Sequence, residues 1–152
     1  MKLSTNFTTE EARCRCGCGF GSEAGEYPQD FVRLVQAMRE IKGGPIWVNS
    51  WGRCQRYNAA VGGVEGSAHT RLSAVDLGAS YARDRYNLII LAVMAALSLQ
   101  MEVPIERWRA LFYTISGLLR GIGVGKGFVH IDDDFISPRP AAWGYGSDGG
   151  GG

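Results

Sequence analysis

The stretch Ser67-Ala-His-Thr-Arg-Leu-Ser-Ala-Val-Asp-Leu-Gly78 constrains this chain more than any other. It holds His69, one of only two histidines in the sequence, with Asp76 a few residues further on. The second histidine, His130, sits in Gly127-Phe-Val-His-Ile-Asp132. Imidazole and carboxylate are ligands that zinc accepts, and a catalytic zinc site usually takes three protein ligands and keeps a further position for water. His69, Asp76 and His130 would complete such a set. Taken singly, each histidine reads more simply as a loop or hydrogen-bonded strand residue, so the case rests on the phrases around them.

Those phrases fall among short strands and amphipathic helices. Thr8 followed by Glu11 can box a short helix start. From Tyr27-Pro28 onwards, Phe31, Leu34, Val35, Met38 and Ile41 recur on one helical face, and Gly43-Gly44-Pro45 stops the helix. Ile46 to Ser50 reads as a strand that runs into Trp51-Gly-Arg-Cys-Gln-Arg-Tyr-Asn58. A flexible Gly62-Gly63-Val-Glu-Gly66 loop then delivers Ser67 and His69. Ser73 to Leu77 reads as a second strand, with Val75 and Leu77 pointing opposite to Asp76. A helix from about Arg83 to Leu99 is apolar nearly all round, which implies burial on more than one side. Ile105, Trp108, Leu111, Phe112, Ile115 and Leu119 mark another helix, entered at Pro104. Gly121 to Asp132 reads as a hairpin turning near Gly125-Lys126-Gly127, with Phe128, His130 and Asp132 on one face. The expectation is an α+β domain, a small and mostly antiparallel sheet flanked by helices, over residues 1–146. The Gly-rich tail 147–152 reads as disordered or as a linker remnant.

Composition narrows the function classes. A chain of 152 residues fits one domain with a proper core. The net charge of +1 and the lack of a basic run argue against a dedicated nucleic-acid binder. The longest apolar run, Leu88 to Leu99, falls short of the ~20 residues of a membrane span. The N-terminus lacks the apolar core of a secretory signal, so a soluble protein made in the cytoplasm is expected, and nothing in the sequence requires more than a monomer. The glycines from Gly121 to Gly127 lack the Gly-Lys-Ser/Thr pattern of a phosphate cradle. Of the four cysteines, Cys14, Cys16 and Cys18 lie in Cys-Arg-Cys-Gly-Cys-Gly, tighter than the spacing of a usual zinc knuckle, and Cys54 stands apart. Free thiols suit a reducing cytoplasm, a disulfide from Cys54 suits an exported protein, and a second zinc held by four thiolates is the third reading.

Read together, Asn49-Ser-Trp-Gly-Arg53, Ser67-Ala-His69, Ala74-Val-Asp76 and Phe128-Val-His-Ile-Asp132 resemble the zinc D-Ala-D-Ala carboxypeptidase and murein endopeptidase family. That family shares its fold with the hedgehog signalling domain. The chain is most similar to a subgroup common in phages and prophages, through Leu3-Ser-Thr-Asn-Phe-Thr8, Cys14-Arg-Cys-Gly17, Gly121-Ile-Gly123, Arg139 and Trp143. The resemblance covers roughly residues 3 to 145. It implies that His69, Asp76 and His130 bind one zinc ion. It also implies that Arg53 holds a substrate carbonyl or carboxylate and steadies the tetrahedral intermediate, a task suited to a planar fork of donors that stays charged. Ser67 would orient the loop or a ligand, and Ser67 and Trp143 join Arg53 as candidate substrate contacts. Trp51 and Trp143 would be the residues to touch glycan, the tryptophans otherwise serving as core and rim packing.

Two positions depart from the family pattern. Leu72 stands where a glycine is often found, and Gly127 where many members carry Glu or Asp. Asp132 is then the nearest carboxylate, as general base or as a group orienting an imidazole. Asp133 and Asp134 are fallbacks in what otherwise reads as a solvated strand end, and Arg71 reads as facing solvent. The implied reaction is hydrolysis of a peptide bond in the peptidoglycan stem or cross-link, zinc lowering the pKa of water from ~15.7 towards ~7. It would act on the bacterial wall during host lysis or from a virion. The other reading is a non-catalytic, zinc-stabilised module that binds wall peptide or a virion partner.

Overall fold

The computed structural model describes residues 1–101, 118–136 and 141–145. The helix expected from Pro104 falls almost wholly outside the described residues, and the tail from Ser147 does so entirely. Among these residues, five strands form one sheet in the order β1-β2-β4-β3-β5. They are β1 (Val48–Ser50), β2 (Ala74–Gly78), β3 (Gly121–Val124), β4 (Phe128–Asp132) and β5 (Ala141–Gly144). The first four pair antiparallel, which bears out the α+β reading, while β5 runs parallel to β3 at the edge and was not foreseen. Among the described residues, four α-helices accompany the sheet: α1 (Thr9–Ala12), α2 (Gln29–Lys42), α3 (Gln55–Ala60) and α4 (Ala82–Ser98).

Local chemistry sets the ends of these elements. In α1 the Thr8 amide donates to Glu11 Oε2 at 2.9 Å and the Glu11 amide donates to Thr8 Oγ1 at 3.4 Å, the reciprocal box that the sequence suggested. Gly43 ends α2 in the left-handed region at φ 65°. Phe31, Leu34, Val35 and Met38 of α2 are buried, but Ile41, expected on the same face, is 39 % exposed because the last turn runs past the core. α4 packs against α2 and also touches β4, which explains its broad apolar surface. No helix among the described residues is long and apolar enough to cross a membrane.

The β2–β4 register places Asp76 opposite His130 and Ala74 opposite Asp132. Alternation sends Val75, Leu77, Val129 and Ile131 to the other face, where all four are buried in the core. One two-residue period therefore serves both the core and the polar face.

Trp51 is the hub of the helical side. The rings of Phe7, Tyr27 and Phe31 meet it edge-on at centroid distances of 6.1, 5.7 and 5.8 Å. Edge-to-face pairs of this kind contribute ~0.5–1.5 kcal/mol each beyond area burial. Its Nε1 donates to the Leu72 carbonyl at 2.9 Å. At 1 % exposure Trp51 cannot touch glycan, which corrects that expectation, whereas Trp47 is 72 % exposed rather than packed.

Leu72 explains why a glycine is often found at its position. Its backbone sits at φ 60°, ψ 18°, closing the short 3-10 turn Ala68–Arg71. A non-glycine residue there costs roughly 1–2 kcal/mol. The side chain offsets that cost by burial against Gly21 and Gly52: a Cβ on Gly52 would lie 2.6 Å from Leu72 Cδ2. Burying a leucine contributes about 1.5–3 kcal/mol. Leu72→Gly should therefore relieve the backbone yet still destabilise the chain, by about 1 kcal/mol. Denaturant titration checks this, and a stabilised variant would overturn the account.

Candidate metal centre and cleft

The 3-10 turn Ala68–Arg71 carries His69, β2 carries Asp76 and β4 carries His130. Ser67 caps the turn, its Oγ accepting from the His69 amide at 3.4 Å. One ligand atom from each of His69, Asp76 and His130 lies within 4.8 Å of the others. Asp76 Oδ1 is 3.3 Å from His69 Nε2 and 3.1 Å from His130 Nδ1.

Each imidazole is held by its outer nitrogen. His69 Nδ1 lies 2.6 Å from the Trp51 carbonyl, so Nδ1 carries the proton and Nε2 presents a lone pair. His130 Nε2 lies 2.7 Å from Asp132 Oδ2, which leaves Nδ1 facing Asp76. Rings fixed in this way by a carbonyl or carboxylate are the usual backing of metal-binding histidines. Two nitrogens and a carboxylate oxygen converging in a buried site fit a divalent cation such as zinc.

The charges are arranged around Asp76. Burial alone would raise its pKa, but the adjoining His130 and His69 imidazoles overcome that and hold the carboxyl well below the usual range. Burial drives His69 below its ordinary value. Burial also opposes charge on His130, but Asp132 and Asp76 outweigh it and raise its pKa. The site thus favours a positive charge between its imidazoles and carboxylates, whether a proton or a metal ion supplies it.

Asp132 is 0 % exposed, and its second oxygen accepts from the Asp134 amide at 3.1 Å. Of its two expected roles, this placement suits orientation of the His130 ring. Space for the carboxylate comes from its cross-strand partner Gly121, where a Cβ would lie 2.3 Å from Asp132 Oδ2. That function of the Gly121-Ile-Gly123 phrase was not legible before the register was known.

Arg53 borders the trio from the loop after β1. Its Nη2 is 2.5 Å from Asp76 Oδ2 and 3.3 Å from His69 Nε2, while Nε donates to Ser50 Oγ at 2.9 Å. Ser50, Arg53 and Asp76 line a cleft of about 210 Å³, together with Asn49, Tyr57, Phe128 and Tyr145. The Tyr145 ring lies 5.1 Å from that of Phe128 and 6.5 Å from that of His130. Sequence reasoning missed Tyr57 and Tyr145. The first had a signal, standing just beyond Arg53, while the second depends on β5. Asp76 is the only carboxylate among the described residues of the cleft lining.

Ser67 is buried, its Oγ engaged with the turn. Two other expectations need correction. Arg71 does not simply face solvent: it donates to the Gly66 carbonyl at 2.7 Å and pairs with Asp134. Asp132, Asp133 and Asp134 are all buried, so they are not a solvated strand end. The backbone of Trp143 pairs with Gly123, next to His130 in the sheet, but its side chain lies outside what the structure describes.

Among the described acids, Asp133 is the least satisfied. Its Oδ1 has no hydrogen-bond partner, and burial pushes its pKa up to about 6. A carboxyl raised in the fold binds its proton more tightly folded than unfolded. Its contribution is therefore favourable at low pH and is lost as pH rises from about 4, the unfolded value, to about 6. Asp133→Asn should stabilise the chain at pH 7 by on the order of 1 kcal/mol and flatten that part of the pH–stability profile. An unchanged profile would remove Asp133 from the account.

No curated protein matches this chain. A family model described as Peptidase M15 matches residues 5–98. The matched region holds Arg53, the turn that presents His69, and the strand that presents Asp76, and it ends before His130. Since it spans more than half of the sequence, the chain belongs to the Peptidase M15 family, a family of peptidases.

Proposed function

We propose that this chain is a zinc peptidase that hydrolyses peptide bonds in the stem or cross-link of peptidoglycan, in phage- or prophage-associated breakdown of the bacterial wall. One observation carries the reading. His69 Nε2 and His130 Nδ1 converge on Asp76 Oδ1 beside Arg53, and Asp76 and Arg53 line a cleft. Family membership supports peptide hydrolysis. The finer substrate rests on the resemblance of the Asn49 to Arg53, Ser67 to His69 and Phe128 to Asp132 phrases to wall carboxypeptidases and endopeptidases.

His69, Asp76 and His130 would hold the metal. Bound zinc supplies a Lewis acid and makes hydroxide accessible at neutral pH. Arg53 is steadied by Ser50 and Asp76, and its remaining donors can take a substrate carbonyl or terminal carboxylate. A fixed guanidinium of this kind stabilises charge that develops on the carbonyl oxygen. Asp132 keeps the His130 ring in place, acting through the histidine without touching substrate. Phe128 and Tyr145 supply an aromatic wall against which a peptide can lie.

The second reading, a zinc-stabilised module that binds wall peptide or a virion partner without cutting, is favoured by one observation. Gly127 replaces the acid found in many relatives, and Asp76 is the sole described carboxylate of the cleft lining.

Digestion of purified peptidoglycan, with released fragments read by mass spectrometry and zinc assayed in each preparation, separates the two. Wild type should release peptide fragments, and His69→Ala should release none and lose one zinc. Asp132→Asn should weaken zinc affinity by about 10–100-fold yet recover turnover when zinc is saturating. Turnover that stays abolished in zinc-loaded Asp132→Asn would make Asp132 the base instead. Zinc-loaded wild type that cuts nothing would hand the site to the second reading.

A further inference from the structure

Next to Arg53 in the chain stands Cys54, where the fold gathers all four cysteines. The sulfurs of Cys14, Cys16, Cys18 and Cys54 lie within 4.8 Å of one another. Cys14 Sγ is 3.3 Å from Cys16 Sγ, and Cys16 Sγ is 3.6 Å from Cys54 Sγ. Four thiolates around a tetrahedral zinc, at Zn–S of about 2.3 Å, stand about 3.8 Å apart. A disulfide would need about 2.05 Å. The cluster has the dimensions of the former.

The backbone shows how so tight a spacing can work. Gly17 and Gly19 take left-handed conformations at φ 76° and 87°, and the Cys14 amide donates to the Phe20 carbonyl at 2.9 Å. The segment thus closes into a small loop that turns Cys14, Cys16 and Cys18 towards one point. Gly52 brings the fourth cysteine alongside by donating its amide to the Ala12 carbonyl at 2.7 Å. Arg15 ties the same loop to β1 through the carbonyls of Asn49 and Val48, at 2.9 and 3.1 Å.

Amide groups also point at the sulfurs. The Cys54 amide donates to Cys14 Sγ at 3.3 Å and the Tyr57 amide donates to Cys54 Sγ at 3.4 Å. Such donors stabilise thiolate charge, and they form the outer support expected around a metal bound by sulfur. Neutral thiols, by contrast, are weak acceptors and gain little from such an arrangement.

We propose that Cys14, Cys16, Cys18 and Cys54 bind a second zinc ion, in a closed structural site distinct from the His69–Asp76–His130 centre. Binding replaces four S–H protons by four Zn–S bonds and leaves the centre with a net charge of −2 if all four thiols ionise. No electron is transferred. The ion pins the irregular N-terminal loop to Cys54, the residue after Arg53, and so fixes the base of the segment that presents the guanidinium to the cleft.

Zinc per chain, measured on the reduced full-length protein, tests this. Wild type should carry two zinc ions. His69→Ala should carry one, and that one should be released by a mercurial that titrates thiols. Cobalt loaded into His69→Ala should show intense thiolate-to-metal charge-transfer absorption, which is lost in the His69→Ala, Cys54→Ser double variant. Cys16→Ser should keep the zinc that His69→Ala loses. A His69→Ala protein that folds, by circular dichroism, and holds no metal would overturn the proposal. Iron in place of zinc, or a native mass lighter by two hydrogens for a cysteine bridge, would overturn it too. Because these readouts come from a variant without the trio, they stand apart from whatever the peptidoglycan assay returns.

Discussion

The antiparallel pairing of β2 with β4 is the constraint on which the rest of this protein depends. It sets Asp76 directly opposite His130 and leaves their side chains on one face. A slip of one residue would turn that face over, burying the polar pair in the core and exposing Val75, Leu77, Val129 and Ile131. The apolar side therefore guards the register that the polar side uses. Hydrophobic burial at those positions is what makes a cluster of buried ionisable groups affordable to the fold.

That cluster is costly on its own terms. Asp76, Asp132, His69 and His130 are all withdrawn from water, and each would be destabilising if left alone. They are not left alone. Trp51 holds the outer nitrogen of His69 through its carbonyl, Asp132 holds that of His130, and Arg53 balances Asp76. The same tryptophan packs against three rings from the N-terminal helical side. The aromatic core and the candidate metal centre are thus joined through one residue, so a change in that core reaches the orientation of a ligand.

Much of this was legible before any coordinates, and the reasons differ from element to element. The α2 helix followed from periodic apolar residues and a glycine stop, both local signals. His69, Asp76 and His130 stood out because each sits in its own short phrase. For Asp132 and Ser67 the sequence offered two roles each and could not choose between them, since the choice turns on which atom of a histidine a neighbour faces. Trp51 was misjudged as a possible glycan contact because its burial comes from Phe7, Tyr27 and Phe31, which lie far away in the chain. The acidic triplet misled for a similar reason: its shelter comes from β3, from Ser73 and from Arg71, none of them its neighbours in sequence.

Although α3 and β5 escaped it, the sequence by itself determined α1, α2 and α4, the strand alternation, the hairpin at Gly125 to Gly127 and the identity of the candidate ligands. These depend on interactions between residues close along the chain. Only the tertiary structure decided which nitrogen each imidazole offers, why Gly121 must lack a side chain, and that Cys54 joins three cysteines from the N-terminus. Those are matters of approach between distant segments, set by sheet register and by the packing around Trp51, and side-chain direction at a few ångströms is not written in local propensity.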